Sequence, residues 1–274
     1  HPTVSRGTLP PGPHWNPAVK APALVLVSLL GLSACAHQSI QLPLSGSATD
    51  VSWAAPAVAG HGDFSRLMKR PLTIGDYSTE QLDYSLWATA PTRSRTTLGD
   101  PDKGLSGGTE TVRNDSTYRF VLNQSGAPLA RIQCRQVLDI SGIFIAHAED
   151  AFERFEVSAN DRYVGELVCE STAIAPTWQP WRLHVVAGDG RPYFGVLRLG
   201  DGSYSVIGTQ DTVSGSFGET TGFYLRRGER TDALVQRING GAVRLRPAIE
   251  PASRSALIAT AMSLLLANDP VTAE

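Results

Sequence analysis

Ala256-Leu257-Ile258-Ala259-Thr260-Ala261-Met262-Ser263-Leu264-Leu265-Leu266-Ala267 carries no charge and is apolar on almost every side. A helix lying on the surface of a domain shows an apolar stripe and a polar back, whereas one that is apolar all round is buried. At ~1.5 Å per residue this run reaches roughly 18 Å, well short of the ~30 Å hydrocarbon core of a bilayer. It therefore belongs inside a protein, wrapped by other elements on most of its circumference. Pro251-Ala252-Ser253-Arg254-Ser255 reads as the helix start, with Ser253 as the cap, and Asn268-Asp269-Pro270 closes it. The pattern predicts a helix over 254–267.

The wrapping has to come from strands. From Phe64 onward the sequence becomes short alternating stretches punctuated by turn residues, the pattern of an all-β domain. Tyr118–Leu122 turns through Asn123-Gln124-Ser125-Gly126 into Leu129–Cys134. Phe155–Val157 turns through Asn160-Asp161 into Val164–Cys169. Arg182–Val185 turns through Gly188-Asp189-Gly190 into Phe194–Leu199, and Asp201-Gly202 leads on to Tyr204. Gly222–Leu225 turns near Gly228 into Ala233–Val235, and Gly240-Gly241 leads to Val243–Leu245. In each, Gly, Asn or Asp supplies the positive φ that a tight hairpin turn needs.

The expected fold is thus mainly β: an antiparallel β-barrel of hairpins around or against one apolar C-terminal helix. Hairpins in series followed by one apolar helix resemble the tubby C-terminal-like fold of tubby proteins, phospholipid scramblases and the plant LURP-one-related group. The resemblance spans roughly Phe64 to Asp269 and lies in architecture rather than in an invariant string. It implies a closed antiparallel barrel surrounding the helix, which removes exposed strand edges. No cluster of basic residues matches a phosphoinositide site, so that activity does not follow. A β-sandwich or a lipocalin-like barrel with a packed helix is the alternative architecture.

Upstream, Ala23-Leu24-Val25-Leu26-Val27-Ser28-Leu29-Leu30-Gly31 is followed by Leu32-Ser33-Ala34-Cys35. An apolar run, a branched residue, two small residues and a cysteine resemble the lipobox of bacterial lipoproteins. That resemblance implies cleavage before Cys35, with lipidation of its thiol and acylation, palmitate included, of the new terminus. The apolar run has the length of a signal-peptide core and is too short to span a bilayer. The leader from His1 to Ala18 is rich in Pro and Gly and holds only Arg6 as a base. It departs from the short basic opening of a signal peptide and is set aside from fold reasoning. Residues 1–34 read as leader and signal peptide, 35–60 as a Ser/Ala/Pro/Gly tether, and 61–274 as a single β-rich domain. Trp53 is the lone aromatic of the tether. Ala36, rather than the Asp that retains enterobacterial lipoproteins at the inner membrane, implies outer-membrane sorting with the domain facing the periplasm.

Of three cysteines, lipid would take Cys35 and leave Cys134 and Cys169. Beyond the inner membrane such a pair oxidises. Period-2 geometry puts Ala130, Ile132 and Cys134 on one face, and Gly165, Leu167 and Cys169 on another. If both faces point inward on neighbouring hairpins the sulfurs meet, and a Cys134–Cys169 disulfide is the expectation; two buried free thiols are the alternative. A net charge of −2, made more acidic by loss of Arg6 and Lys20 on cleavage, argues against nucleic acid as a partner.

Signals of chemistry are few. Gly104-Leu105-Ser106-Gly107-Gly108 matches the nucleophile-elbow string, but a polar, turn-rich stretch precedes Ser106 where the elbow needs a buried strand. His147-Ala148-Glu149-Asp150 sets an imidazole beside two carboxylates without a second group at ligand spacing. His184 sits within an alternating strand and should point outward opposite Leu183 and Val185. Trp178 and Trp181 are candidate ligand contacts, although aromatics near strand starts are more often core anchors. No Walker loop, dinucleotide fingerprint or zinc spacing occurs, and no cofactor or metal is expected. The sequence points to a non-enzymatic envelope lipoprotein that binds a lipid or a protein. The alternative is a serine hydrolase using Ser106 with His147 or His184.

Overall fold

The structure, a computed structural model, describes residues 52–62, 65, 68–84, 92–99, 105–150, 153–188, 191–212, 215–216 and 220–267. Residues 1–51, which hold the expected signal peptide, Cys35 and most of the expected tether, lie outside the described residues.

The strands run in chain order as β1 (Val58–Ala59), β2 (Thr73–Ile74), β3 (Tyr77–Tyr84), β4 (Thr92–Gly99), β5 (Leu105–Gln124), β6 (Ala127–Asp150), β7 (Glu153–Ala173), β8 (Trp181–Gly188), β9 (Phe194–Leu199), β10 (Gly202–Thr209), β11 (Asp211–Thr212), β12 (Gly215–Ser216), β13 (Gly222–Arg227), β14 (Arg230–Gln236) and β15 (Ala242–Leu245). One helix, α1 (Pro251–Leu266), follows. The main sheet is antiparallel in the order β1-β2-β3-β5-β6-β7-β8-β9-β10-β13-β14-β15, with β4 paired to β5 off this path; β11 and β12 pair only with each other. Ala54, just before β1, exchanges two backbone hydrogen bonds with Leu245 of β15, at 2.9 and 2.8 Å. The two ends of the sheet meet there, giving a nearly closed barrel of 12 strands.

Every residue from Ala256 to Ala267 is buried, so the apolar helix is in the core as its composition requires. Alternate residues of the strands supply the surrounding wall: Tyr118, Phe120 and Leu122 from β5, Leu183 and Val185 from β8, Phe223 and Leu225 from β13. The two buried hydroxyls of the helix bond back one turn, Thr260 Oγ1 to Ala256 O at 2.9 Å and Ser263 Oγ to Ala259 O at 3.0 Å. Polar atoms with no access to water are thereby satisfied within the helix itself. The wall caps its C-terminal carbonyls. Tyr118 Oη donates to Ser263 O, Tyr84 Oη to Leu266 O and Arg237 Nη2 to Ala267 O. The start differs from expectation. Glu250 is the N-cap residue, without a side-chain bond, and Pro251 opens the helix. Ser253 is buried inside the first turn rather than capping it. Proline suits that position because its missing N–H would have had no helical partner.

Most hairpins fall where the turn residues place them. Ser125 and Gly126, with φ of 49° and 83°, form the two-residue connection of β5 to β6. Gly200 and Gly228, also at positive φ, sit in the β9–β10 and β13–β14 turns. The Asn160-Asp161 turn is a correction. Strand β7 runs straight through it, and Ser141 pairs with Arg162 while Gly142 pairs with Asn160. Asp161 is left over as the extra residue of a β-bulge, a place that tolerates the same backbone as a turn. The tether is corrected as well: residues 54, 58 and 59 are paired in the sheet, so the domain begins before residue 61.

Strands β5, β6 and β7 are 20, 24 and 21 residues long. Strand β8 reaches only as far as Val164 on β7, and β3 only as far as Tyr118 on β5. Past those points, among the described residues, β4, β5, β6 and β7 continue as a four-stranded extension. Between Val164 and Glu153 that is roughly 35 Å of strand at ~3.3 Å per residue.

Candidate functional site

Cys134 and Cys169 face each other in register on β6 and β7, with Cα atoms 4.1 Å apart and the sulfurs at bonding distance, 2.09 Å. Both are fully buried. The pair therefore tacks two neighbouring strands of one sheet together rather than joining two separate hairpins.

Trp178 and Trp181 lie in the core, 7% and 3% exposed, which leaves neither ring as an open clamp. Ser171 Oγ holds this corner together: it accepts from Trp178 Nε1 at 3.1 Å and from the Trp181 backbone N–H at 2.8 Å. Ser106 is the second residue of β5, opposite Ala146, and the strand continues after it to Gln124. His147 pairs with Leu105, one position along. The strand–turn–helix setting of a nucleophile elbow is not formed at Ser106. Among the described residues no group of three or more His, Cys, Asp or Glu could hold a metal ion, and no helix is long and apolar enough to cross a membrane.

The arrangement with most chemical content is on the outside of β8 and β9. Along β8 the inward residues are Trp181, Leu183, Val185 and Ala187; Arg182, His184 and Val186 point out. Along β9 the outward residues are Phe194, Val196 and Arg198. The register sets Arg182 opposite Arg198, His184 opposite Val196 and Val186 opposite Phe194. Gly195 fixes this pairing, because a Cβ there would stand 2.0 Å from His184 O and 2.6 Å from Val185 Cα. Only glycine lets the two strands approach so closely.

This face combines apolar surface with charge. Val186, Phe194 and Val196 are 40%, 61% and 38% exposed. A groove of about 400 Å³ runs over them between Arg182, His184 and Arg198. Glu170 Oε1 lies 3.3 Å from Arg182 Nε, and Glu166 Oε1 lies 2.8 Å from His184 Nε2. Arg198 has no ion-pair partner among the described residues. A smaller groove of about 300 Å³ opens beside β3 and β5, but there Asp83 and Arg119 pair at 2.8 Å and compensate each other.

Sequence reading placed His184 correctly on the outer surface and missed the rest of this face. The available signal was Phe194-Gly195-Val196-Leu197, which is apolar in both phases of the strand period. A sheet with one solvated face should alternate instead.

No known protein family, no curated protein and no solved structure matches this chain.

Proposed function

We propose that the chain is a membrane-anchored lipoprotein of the bacterial envelope whose barrel is a non-enzymatic module for binding a lipid or an envelope protein. The observation that carries the second half is the helix in the core. With Ala256 to Ala267 buried on all sides, the barrel interior is occupied by the protein's own residues, and recognition falls to the outer surface. The first half rests on the order of residues Leu32-Ser33-Ala34-Cys35 behind an apolar run. Acyl chains on Cys35 would hold the domain at the membrane, with outer-membrane placement following from Ala36. The antiparallel barrel and terminal helix support the reading of the domain as tubby-like, and the burial of Trp178 and Trp181 removes the aromatic clamp as its binding site.

Metabolic labelling with an alkynyl fatty acid tests the anchor. The expected result is label on the wild-type chain and none on Cys35→Ser. Unlabelled wild-type protein would sink the lipoprotein reading. A fluorophosphonate probe is expected to leave Ser106 unmodified; labelling lost in Ser106→Ala would instead establish the hydrolase.

A further inference from the structure

We propose that the outer face of β8 and β9 binds one acyl chain bearing an anionic headgroup, with the headgroup at Arg182 and Arg198 and the chain along Val196, Val186 and Phe194. Two observations that folding alone does not account for meet on this face. The first is the pair of arginines set directly opposite each other in the ladder. Like charges so placed oppose the fold. Glu170 relieves Arg182, but Arg198 is left without a partner on its own side of the groove. An anion between the two guanidinium groups removes that repulsion, and arginine forks suit a carboxylate or phosphate through paired charge-assisted hydrogen bonds. The second is a contiguous apolar strip running across both strands, with Phe194 the most exposed of the three. Contiguous exposed apolar patches mark interaction sites.

The spacing joins the two into one site. From Arg182 to Val186, and from Arg198 to Phe194, the chain advances four residues, roughly 13 Å at ~3.3 Å per residue. That is the reach of a medium-length acyl chain laid parallel to the strands. The groove of about 400 Å³ lies within the range of small-ligand sites. Glu166 and Glu170 bound it on the β7 side, so an anionic head is directed towards β9 and Arg198. This proposal rests on the barrel being a binding module and is independent of the anchor at Cys35.

The test uses the full chain carrying Cys35→Ser, titrated calorimetrically with dodecanoate below its micelle concentration. A parallel arm measures flotation with vesicles of phosphatidylethanolamine and phosphatidylglycerol. Saturable binding is expected. Arg198→Glu should weaken it at least about tenfold, the worth of one hydrogen bond to a charged group. Phe194→Ser should weaken it severalfold, and dodecanol and inorganic phosphate, each half of the ligand, should bind far more weakly. Both substituted residues are exposed, and Arg198→Glu also removes the like-charge pair, so thermal midpoints should not fall below the wild-type value, which excludes unfolding as the cause. Sensitivity of the dodecanoate titration to both substitutions identifies a free acyl anion as the source. The same sensitivity in flotation alone identifies a bilayer lipid. Failure of both probes to bind, or binding that ignores both substitutions, would overturn the site while leaving the labelling of Cys35 unaffected.

Discussion

Tyr118 on β5 donates its hydroxyl proton to the carbonyl oxygen of Ser263 at 2.6 Å, tying the barrel wall to the last turn of the helix inside it. The same carbonyl also accepts from the backbone N–H of Ala267 at 3.0 Å. Loss of the tyrosine hydroxyl therefore leaves an under-satisfied acceptor rather than an orphan. Tyr118→Phe is expected to cost about 1 kcal/mol in denaturant unfolding, with the slope unchanged. Tyr84 stacks on Tyr118 with ring centroids 5.3 Å apart and caps the neighbouring carbonyl. The double replacement should depart from the sum of the singles.

Leu264 is fully buried among the strands. Leu264→Ala should destabilise the domain by about 2–5 kcal/mol, since the wall cannot collapse onto the space left. A change under about 1 kcal/mol would mean that the helix does not fill the barrel.

The Cys134–Cys169 disulfide closes a loop with a sequence separation of 35. By the chain-entropy account its loss should cost roughly 4 kcal/mol. Unfolding of the protein with and without reductant measures this, and non-reducing peptide mapping should recover the two cysteines in one linked species. Two free thiols in the native protein would contradict the bond.

Burial raises the phenols of Tyr77, Tyr204 and Tyr224 above their ordinary value. Hydrogen bonds from Ser255 to Tyr77 and from Thr209 to Tyr224, and the charge of Arg227 beside Tyr204, offset only part of that effect. A group whose folded pKa lies above its unfolded value stabilises the fold below the unfolded pKa, and that stability is lost as pH rises through the folded one. The protein should hold its stability up to about pH 10 and lose it progressively above. Absorbance of ionised tyrosine should rise late and together with the loss of near-ultraviolet circular dichroism. Titration of all tyrosines at the ordinary value in a folded chain would refute this.

How much of this could be read from the sequence depended on whether a residue carried a local reason for its place. Gly126 and Gly228 occupy turns with their backbone at positive φ, and those hairpins were legible; the β9–β10 turn was legible at Asp201, although its positive φ falls on Gly200 and Gly202 already belongs to β10. The helix was legible because no surface could tolerate Ala256 to Ala267. Asn160-Asp161 misled because a bulge and a turn ask for the same residues, and only the continuing partner strand β6 distinguishes them. Ala54, Val58 and Ala59 gave no sign of pairing, since such short contributions contain no period to detect. The β8–β9 face was missed in another way: its one local signal was the unbroken apolar run Phe194-Gly195-Val196-Leu197, and its other residues are ordinary alone. Their meaning comes from a register that Gly195 sets.

The seam between Ala54 and Leu245 also dictates the order in which this molecule can be assembled. Its two partners come from opposite ends of the domain, and the residues that fill the core, Ala256 to Ala267, come after both. An emerging chain has walls before it has an interior, with strand edges open and apolar faces wet. Contacts of such long sequence separation make folding slow and leave unpaired edges exposed to other chains meanwhile. Truncation anywhere before Leu266 thus yields an unstable sheet rather than a smaller barrel. Folding waits for this helix to be delivered.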